Sequence, residues 1–304
     1  MECNAKKMQE MLLQNVSGQK ITASEVLHEI FTFKSIDIKD IKKNISIEDH
    51  WFKVKLIGIN NENTDLLDSD QIIEYLSFIA PVPYTSAFIF RNEVYEHAKK
   101  LNYVIDEYNI KVNAEMVFKQ YKTTLKTSQG HDNIFDIHFK DFYDNGKLIA
   151  WMWFGISKFD GVIDKDNKMR GLRLRKENIQ IGNEDTLQKL FKEDRGSHYY
   201  AGEVFAVSKE LIPNSQRDYF NENPARVAFE KETRNYFNDT MKKIYYDASK
   251  INSAKRKEIS YRNKLEEHKK KSNDNKYMSS EHRQKAEEDL KKIKRKCRKS
   301  EKVL

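Results

Sequence analysis

Between residues 135 and 140 the apolar positions keep a strict period of two. Phe135, Ile137 and Phe139 alternate with Asp136, His138 and Lys140, as a half-buried strand requires. Asp144-Asn145-Gly146 follows, and then the continuous apolar run 148–154. Asn-Gly readily takes the two left-handed backbone positions of a tight turn, so the stretch predicts a β-hairpin. Its second strand is apolar on both sides and is expected at the centre of a covered sheet.

Other elements follow from the same patterns. Phe52, Val54 and Leu56 alternate with lysines and predict a strand over 51–57. Ile72, Ile73, Leu76 and Ile79 recur at helical spacing, with Asp68 or Ser69 as cap. Pro81-Val82-Pro83 stops that helix, because proline has no amide hydrogen and disfavours helical geometry before it. Phe88-Ile89-Phe90 reads as a further strand. Beyond Gly161 the pattern predicts strands over 172–175, 178–181 and 204–207, with a short helix over 184–191. Pro224 suits the first turn of a long helix, and Asn273-Asp274-Asn275 interrupts the helical remainder. Residues 1–50 give weaker signals: a helix through Met8, Met11 and Leu12, a turn at Ser17-Gly18-Gln19, and a helix entered at Ser24. The expected class is α+β: a mixed sheet with helices on one face, then a helical, potentially coiled-coil, C-terminal arm. The expected divisions are a leader or a remnant of a preceding domain over 1–50, an α+β domain over 51–235 and a basic arm over 236–304.

Charge changes this picture at one end only. From residue 255 to 304 there are 19 Lys and Arg against 9 Asp and Glu, while the rest holds 36 against 38. The net +8 therefore belongs to the arm, and it carries no argument for nucleic-acid binding by the folded part. Lys291, Lys292, Lys294, Arg295 and Lys296 are the candidate phosphate contacts there. Glu266-Glu267 and Glu287-Glu288-Asp289 interleave with such lysines, which favours a solvated charged helix. The two cysteines, Cys3 and Cys297, stand at opposite ends of the chain, so neither a disulfide framework nor a CxxC metal knuckle is expected. No apolar run is long enough to span a bilayer, and a cytoplasmic protein is expected.

One block is more specific than composition. It reads Arg170-Gly171-Leu172-Arg173-Leu174-Arg175, then Asn178-Ile179-Gln180-Ile181-Gly182. Gly202-Glu203-Val204 comes next, and then Leu211-Ile212-Pro213-Asn214-Ser215-Gln216-Arg217-Asp218-Tyr219-Phe220. This order resembles the second, transducer (middle) domain of GHKL ATPases, the group of the ninety-kilodalton heat-shock chaperones. Bacterial Hsp-ninety-like ATP-binding proteins are the most similar, and the resemblance covers roughly 50–235. It implies a ribosomal-protein-like transducer fold. It also implies that Arg217 and Asn214 are the γ-phosphate contact to ATP held in another domain, with Asn214 shaping the loop and Asp218 orienting the guanidinium. A guanidinium suits that task because it offers planar, paired hydrogen bonds to phosphoryl oxygens.

The family's own nucleotide pocket is not legible. The Asn…Asp-Ala helix and the Asp-x-Gly-x-Gly loop are both missing, and Asp160-Gly161-Val162 lacks the second glycine. No Gly-x-x-x-x-Gly-Lys-Ser/Thr loop occurs. ATP and Mg are thus expected only through a separate GHKL domain, in the same product or another chain, with no ATPase activity in this chain alone. Truncation, a split system and a degenerate remnant all remain open. A homodimer through the arm is a further expectation. The alternative reading is a non-enzymatic scaffold or nucleic-acid module built on the arm. Without the resemblance, 213–218 is an ordinary helix-entry loop, Arg173 and Arg175 are a solvated strand face, and His138 is a surface histidine.

Overall fold

A computed structural model describes residues 66–274 and 277–301, with the short stretches 2–3, 10–11, 31–32 and 54–55. The chain divides into two compact units, Met1–Asp68 and Ser69–Leu304. In the first unit a two-residue pair, β1 (Glu2–Cys3) with β2 (Phe31–Thr32), is described. Of the helix expected through Met8, Met11 and Leu12 only Glu10 and Met11 are described, and both are helical. The helix entered at Ser24 lies outside the described residues, as does the strand over 51–57 apart from Val54 and Lys55.

The second unit opens with α1 (Ser69–Ile79), which follows the predicted spacing and ends at the prolines. Phe88-Ile89-Phe90 is not a strand but a pair of turns leading into α2 (Arg91–Lys100). Thr85 accepts from the Phe88 amide and Phe88 from the Arg91 amide, so the backbone bonds locally instead of in a ladder. The alternation there is real, with Phe88 and Phe90 buried and Ile89 exposed. Burial of two aromatics has outweighed strand pairing.

Two small antiparallel ribbons follow, β3 (Lys111–Val112) with β4 (Glu115–Met116) and β5 (Thr124–Thr127) with β6 (Gly130–Asn133). The predicted hairpin is β7 (Asp136–Asp144) and β8 (Lys147–Ile156). Its turn residues Asn145 and Gly146 have φ of 46° and 78°, the left-handed pair that Asn-Gly was expected to supply. Phe135 falls outside the ladder and is exposed, whereas Ile137 is buried.

β9 (Gly171–Lys176), β10 (Ile179–Ile181) and β11 (Ala201–Ala206) complete a five-stranded sheet of order β10-β9-β11-β8-β7. β11 runs parallel to β9 and antiparallel to β8, so the sheet is mixed. The segment expected as a helix over 184–191 is a chain of turns closing in one 3₁₀ turn, Gln188–Leu190. β8 and β11 are central, as the double-sided apolar pattern of β8 demands. Met152 and Phe154 pack on one face with Val204, Phe229 and Tyr245. Trp151 and Trp153 pack on the other with Phe78, Val94 and Phe205. Helices therefore cover both faces of the sheet, where one had been expected.

Pro224 stands at the start of α3 (Pro224–Tyr236), whose Asn223 cap accepts from the Arg226 amide. A π-turn, Phe237–Met241, joins it to α4 (Lys242–Asn273). The Tyr200 hydroxyl donates to the Met241 carbonyl at 2.6 Å inside that turn, anchoring the widened backbone. The division expected at 235 thus falls inside a nearly continuous helical run. α4 stays tied to the body through Asn252 to the Lys158 carbonyl and Arg256 to Asp160. α5 (Ser280–Glu301) packs back against α4, with His268 facing Glu287 at 3.9 Å. The break at Asn273 is the tip of a helical hairpin.

Candidate functional site

The two blocks singled out in the sequence meet at one end of the sheet. β9 and β10 turn through Glu177 and Asn178, both with positive φ, and β10 ends at Ile181, just before Gly182. The loop 211–220 closes on itself as a narrow bridge between Pro213 and Phe220. Asn214 donates its backbone amide to the Tyr219 carbonyl at 2.9 Å, and the Asn214 carbonyl accepts from the Arg217 amide at 3.0 Å. Leu211, Tyr219 and Phe220 are buried beneath it and fix its base in the core.

Arg217 stands at the exposed tip with a φ of 52°. A non-glycine residue in this region is held there by its surroundings. Its carbonyl accepts the Gly182 amide at 2.7 Å, so its backbone is pinned from both sides. Its guanidinium makes no hydrogen bond or ion pair with the described residues. Asp218 does not orient it. The Asp218 carboxylate accepts the Asn214 side-chain amide at 2.5 Å, and the Asp218 backbone amide donates back to the Asn214 side-chain oxygen at 3.3 Å. Both ends of the Asn214 side chain are thus used inside the loop. Beside the loop, the Lys189 ammonium lies 3.4 Å from the centre of the Tyr219 ring.

The largest departure from sequence reasoning lies beneath the sheet. Arg173 and Arg175 do not form a solvated face, because both are buried. Arg175 pairs through Nε with Glu203, and its other nitrogens donate to the carbonyls of Asn178 and Phe78 at 2.9 and 2.8 Å. Arg173 donates to Gln180 at 2.7 Å and stacks over the Phe78 ring. Glu203 also accepts from the Tyr84 hydroxyl, from Trp153 Nε1 at 3.4 Å and from Lys119 at 3.2 Å. Lys119, wholly buried, donates in addition to the Asn178 side-chain oxygen at 2.6 Å. Burial would raise the Glu203 carboxyl, but Arg175 and Lys119 hold it down at about 2. Burial and the Arg175 guanidinium bring Lys119 down to about 7. Two cations share one carboxylate, and lysine is the one that can release its proton.

Sequence reasoning missed this cluster because its members lie 84 and 28 positions from Glu203. The signal that the sequence did hold is the alternation Leu172-Arg173-Leu174-Arg175; in the structure β9 is buried along its whole length, so its arginines must find partners.

Lys291, Lys292, Lys294 and Arg295 are spread around α5 with exposed side chains, and Lys292 faces Asp289 at 3.8 Å. The Lys296 side chain lies outside the described residues. His138 is exposed, with its ring tilted against Phe154. Among the described residues no group of His, Cys, Asp and Glu is placed to hold a metal ion, and no helix is long and apolar enough to cross a membrane. A scan against protein-family models matches none, and a search of curated proteins finds no match.

Proposed function

We propose that this chain is the transducer part of a GHKL, Hsp-ninety-like ATPase. In this reading Arg217 contacts the γ-phosphate of Mg-ATP held by a separate domain or chain, and the nucleotide state is passed to partners, in chaperone-like work or DNA transactions. The observation that supports it is the state of Arg217: an exposed, unpaired guanidinium on a left-handed residue whose backbone is pinned at both its amide and its carbonyl. An arginine so placed presents charge without first breaking an ion pair, which suits a group that must meet a phosphoryl oxygen in trans. The side chain of Asn214, spent on Asp218, serves this reading by shaping the loop and not by touching phosphate.

The test is ATP turnover by the full chain joined to, or mixed with, a GHKL nucleotide domain. Arg217→Ala is expected to slow turnover on the order of a thousandfold, in the range of other arginines supplied in trans. Unchanged turnover in that pair would end the reading.

A further inference from the structure

The loop that carries Arg217 is also hydrogen-bonded to the chain that leaves β10. We propose that Gly182, with Thr186, is the positioning element for Arg217: the end of β10 holds the guanidinium at its working height. This rests on the reading of Arg217 given above.

Three observations carry it. The Gly182 amide donates to the Arg217 carbonyl at 2.7 Å, so the first residue after β10 is hydrogen-bonded to Arg217 itself. Gly182 has a φ of 64°, and a Cβ there would collide with the Thr186 hydroxyl and come within 2.6 Å of the Asp218 carbonyl oxygen. The space above β10 is therefore filled by the Arg217 loop on one side and Thr186 on the other. Thr186 is itself tied down, since its hydroxyl accepts the Asn183 amide at 2.8 Å and closes the turn that follows Gly182. Any side chain at 182 must displace either that turn or the backbone of Asp218, next to Arg217.

A displacement of this kind acts on geometry and leaves the charge in place. The nucleotide is held by the other domain, so its affinity should hardly change, while the chemical step loses a correctly placed cation. Gly182→Ala is therefore expected to lower kcat for Mg-ATP by about ten- to a hundredfold with KM altered less than about threefold. The double variant Gly182→Ala/Arg217→Ala is expected to lose no more than Arg217→Ala alone, because a misplaced group and a missing one fail at the same step.

The experiment compares Gly182→Ala, Arg217→Ala and the double variant in the full chain joined to the nucleotide domain. Amide hydrogen exchange is followed in the full chain by itself. Exchange at Asn214, Arg217 and Asn221 should quicken in Gly182→Ala while β8 and β11 keep their protection. Should Gly182→Ala fail to fold, Thr186→Val removes the closing hydroxyl and is expected to give the same split at smaller size. If Arg217→Ala alone leaves turnover intact, the functional reading falls. If Arg217→Ala is slow but Gly182→Ala and Thr186→Val run at the full rate, or the losses multiply in the double variant, the positioning role is overturned.

Discussion

Lys119 reaches to 3.2 Å from the Glu203 carboxylate with neither side chain exposed to solvent. Lys119 comes from the extended segment before β5, and Glu203 from the central strand β11. Their contact locks the layer built from residues 78–121 onto the sheet. Tyr84 and Asn178 extend the lock at either side, since Asn178 also donates to the Asp106 carbonyl at 2.6 Å. A polar cluster of this kind stands or falls as a unit, because each member left unpaired keeps its full desolvation cost.

Removing the shared anion should therefore be the most damaging change in the core. Glu203→Gln is expected to cost about 3–5 kcal/mol, because it strands two buried cations. Lys119→Met leaves Glu203 paired with Arg175, Tyr84 and Trp153, and should cost less. Urea unfolding of the two variants checks the order, and a milder effect of Glu203→Gln would contradict it.

The same cluster predicts a pH dependence with a definite sign. Lys119 titrates near 7 in the folded chain and near about 10.4 when unfolded. Between those values the unfolded chain binds the extra proton, so the contribution of Lys119 to stability rises with pH from about 7 and is complete above about 10.4. Glu203 acts with the same sign at the acid end, in a lower pH window. Its folded value of about 2 lies below the ordinary 4.5, so its contribution is present above 4.5 and is lost as pH falls toward 2. Unfolding midpoints at pH 7 and pH 9 should differ more for the unaltered chain than for Lys119→Met. Equal slopes would show that Lys119 keeps an ordinary affinity for its proton.

At the hairpin turn, Gly146→Ala places a Cβ where nothing lies within 4 Å, so its cost is backbone strain alone. With φ at 78° that strain should amount to about 1 kcal/mol, visible as a lowered Tm without change in the spectrum of the folded state. A neutral result would mean that the turn relaxes without loss.

The basic arm is laced with acids: Lys271 pairs with Glu267 at 2.9 Å, Arg262 with Glu258 at 2.6 Å and Arg283 with Glu287 at 3.3 Å. Duplex DNA titrated at about 50 and 200 mM salt should therefore show only weak binding that disappears at the higher value. Tight binding that survives high salt would favour the nucleic-acid alternative, with Lys291, Lys292, Lys294 and Arg295 the residues to reverse first.

Local rules made much of the fold legible. The β7–β8 hairpin could be read because Asn145-Gly146 fixes its own turn and the alternation of Ile137 and Phe139 needs no distant partner. α1 and the start of α3 could be read because the apolar spacing of α1, the prolines after it and Pro224 in the first turn of α3 act within a few residues. Phe88-Ile89-Phe90 misled because alternation reports which side is buried, and two aromatics can be buried from a turn as well as from a strand.

For the candidate site, the sequence by itself determined an exposed arginine in a Pro-Asn-Ser-Gln-Arg-Asp loop and a strand of alternating arginines and leucines. Only the tertiary structure decided what each of them touches. Gly182 meets Arg217 because β9, β10 and the loop after β11 converge at one end of the sheet. Arg175 is buried because a layer from 78–121 covers its strand and brings Lys119 and Tyr84 to Glu203. Periodicity records how far a side chain is from water. It does not record which remote charge will be waiting there, and that pairing is set by chain topology.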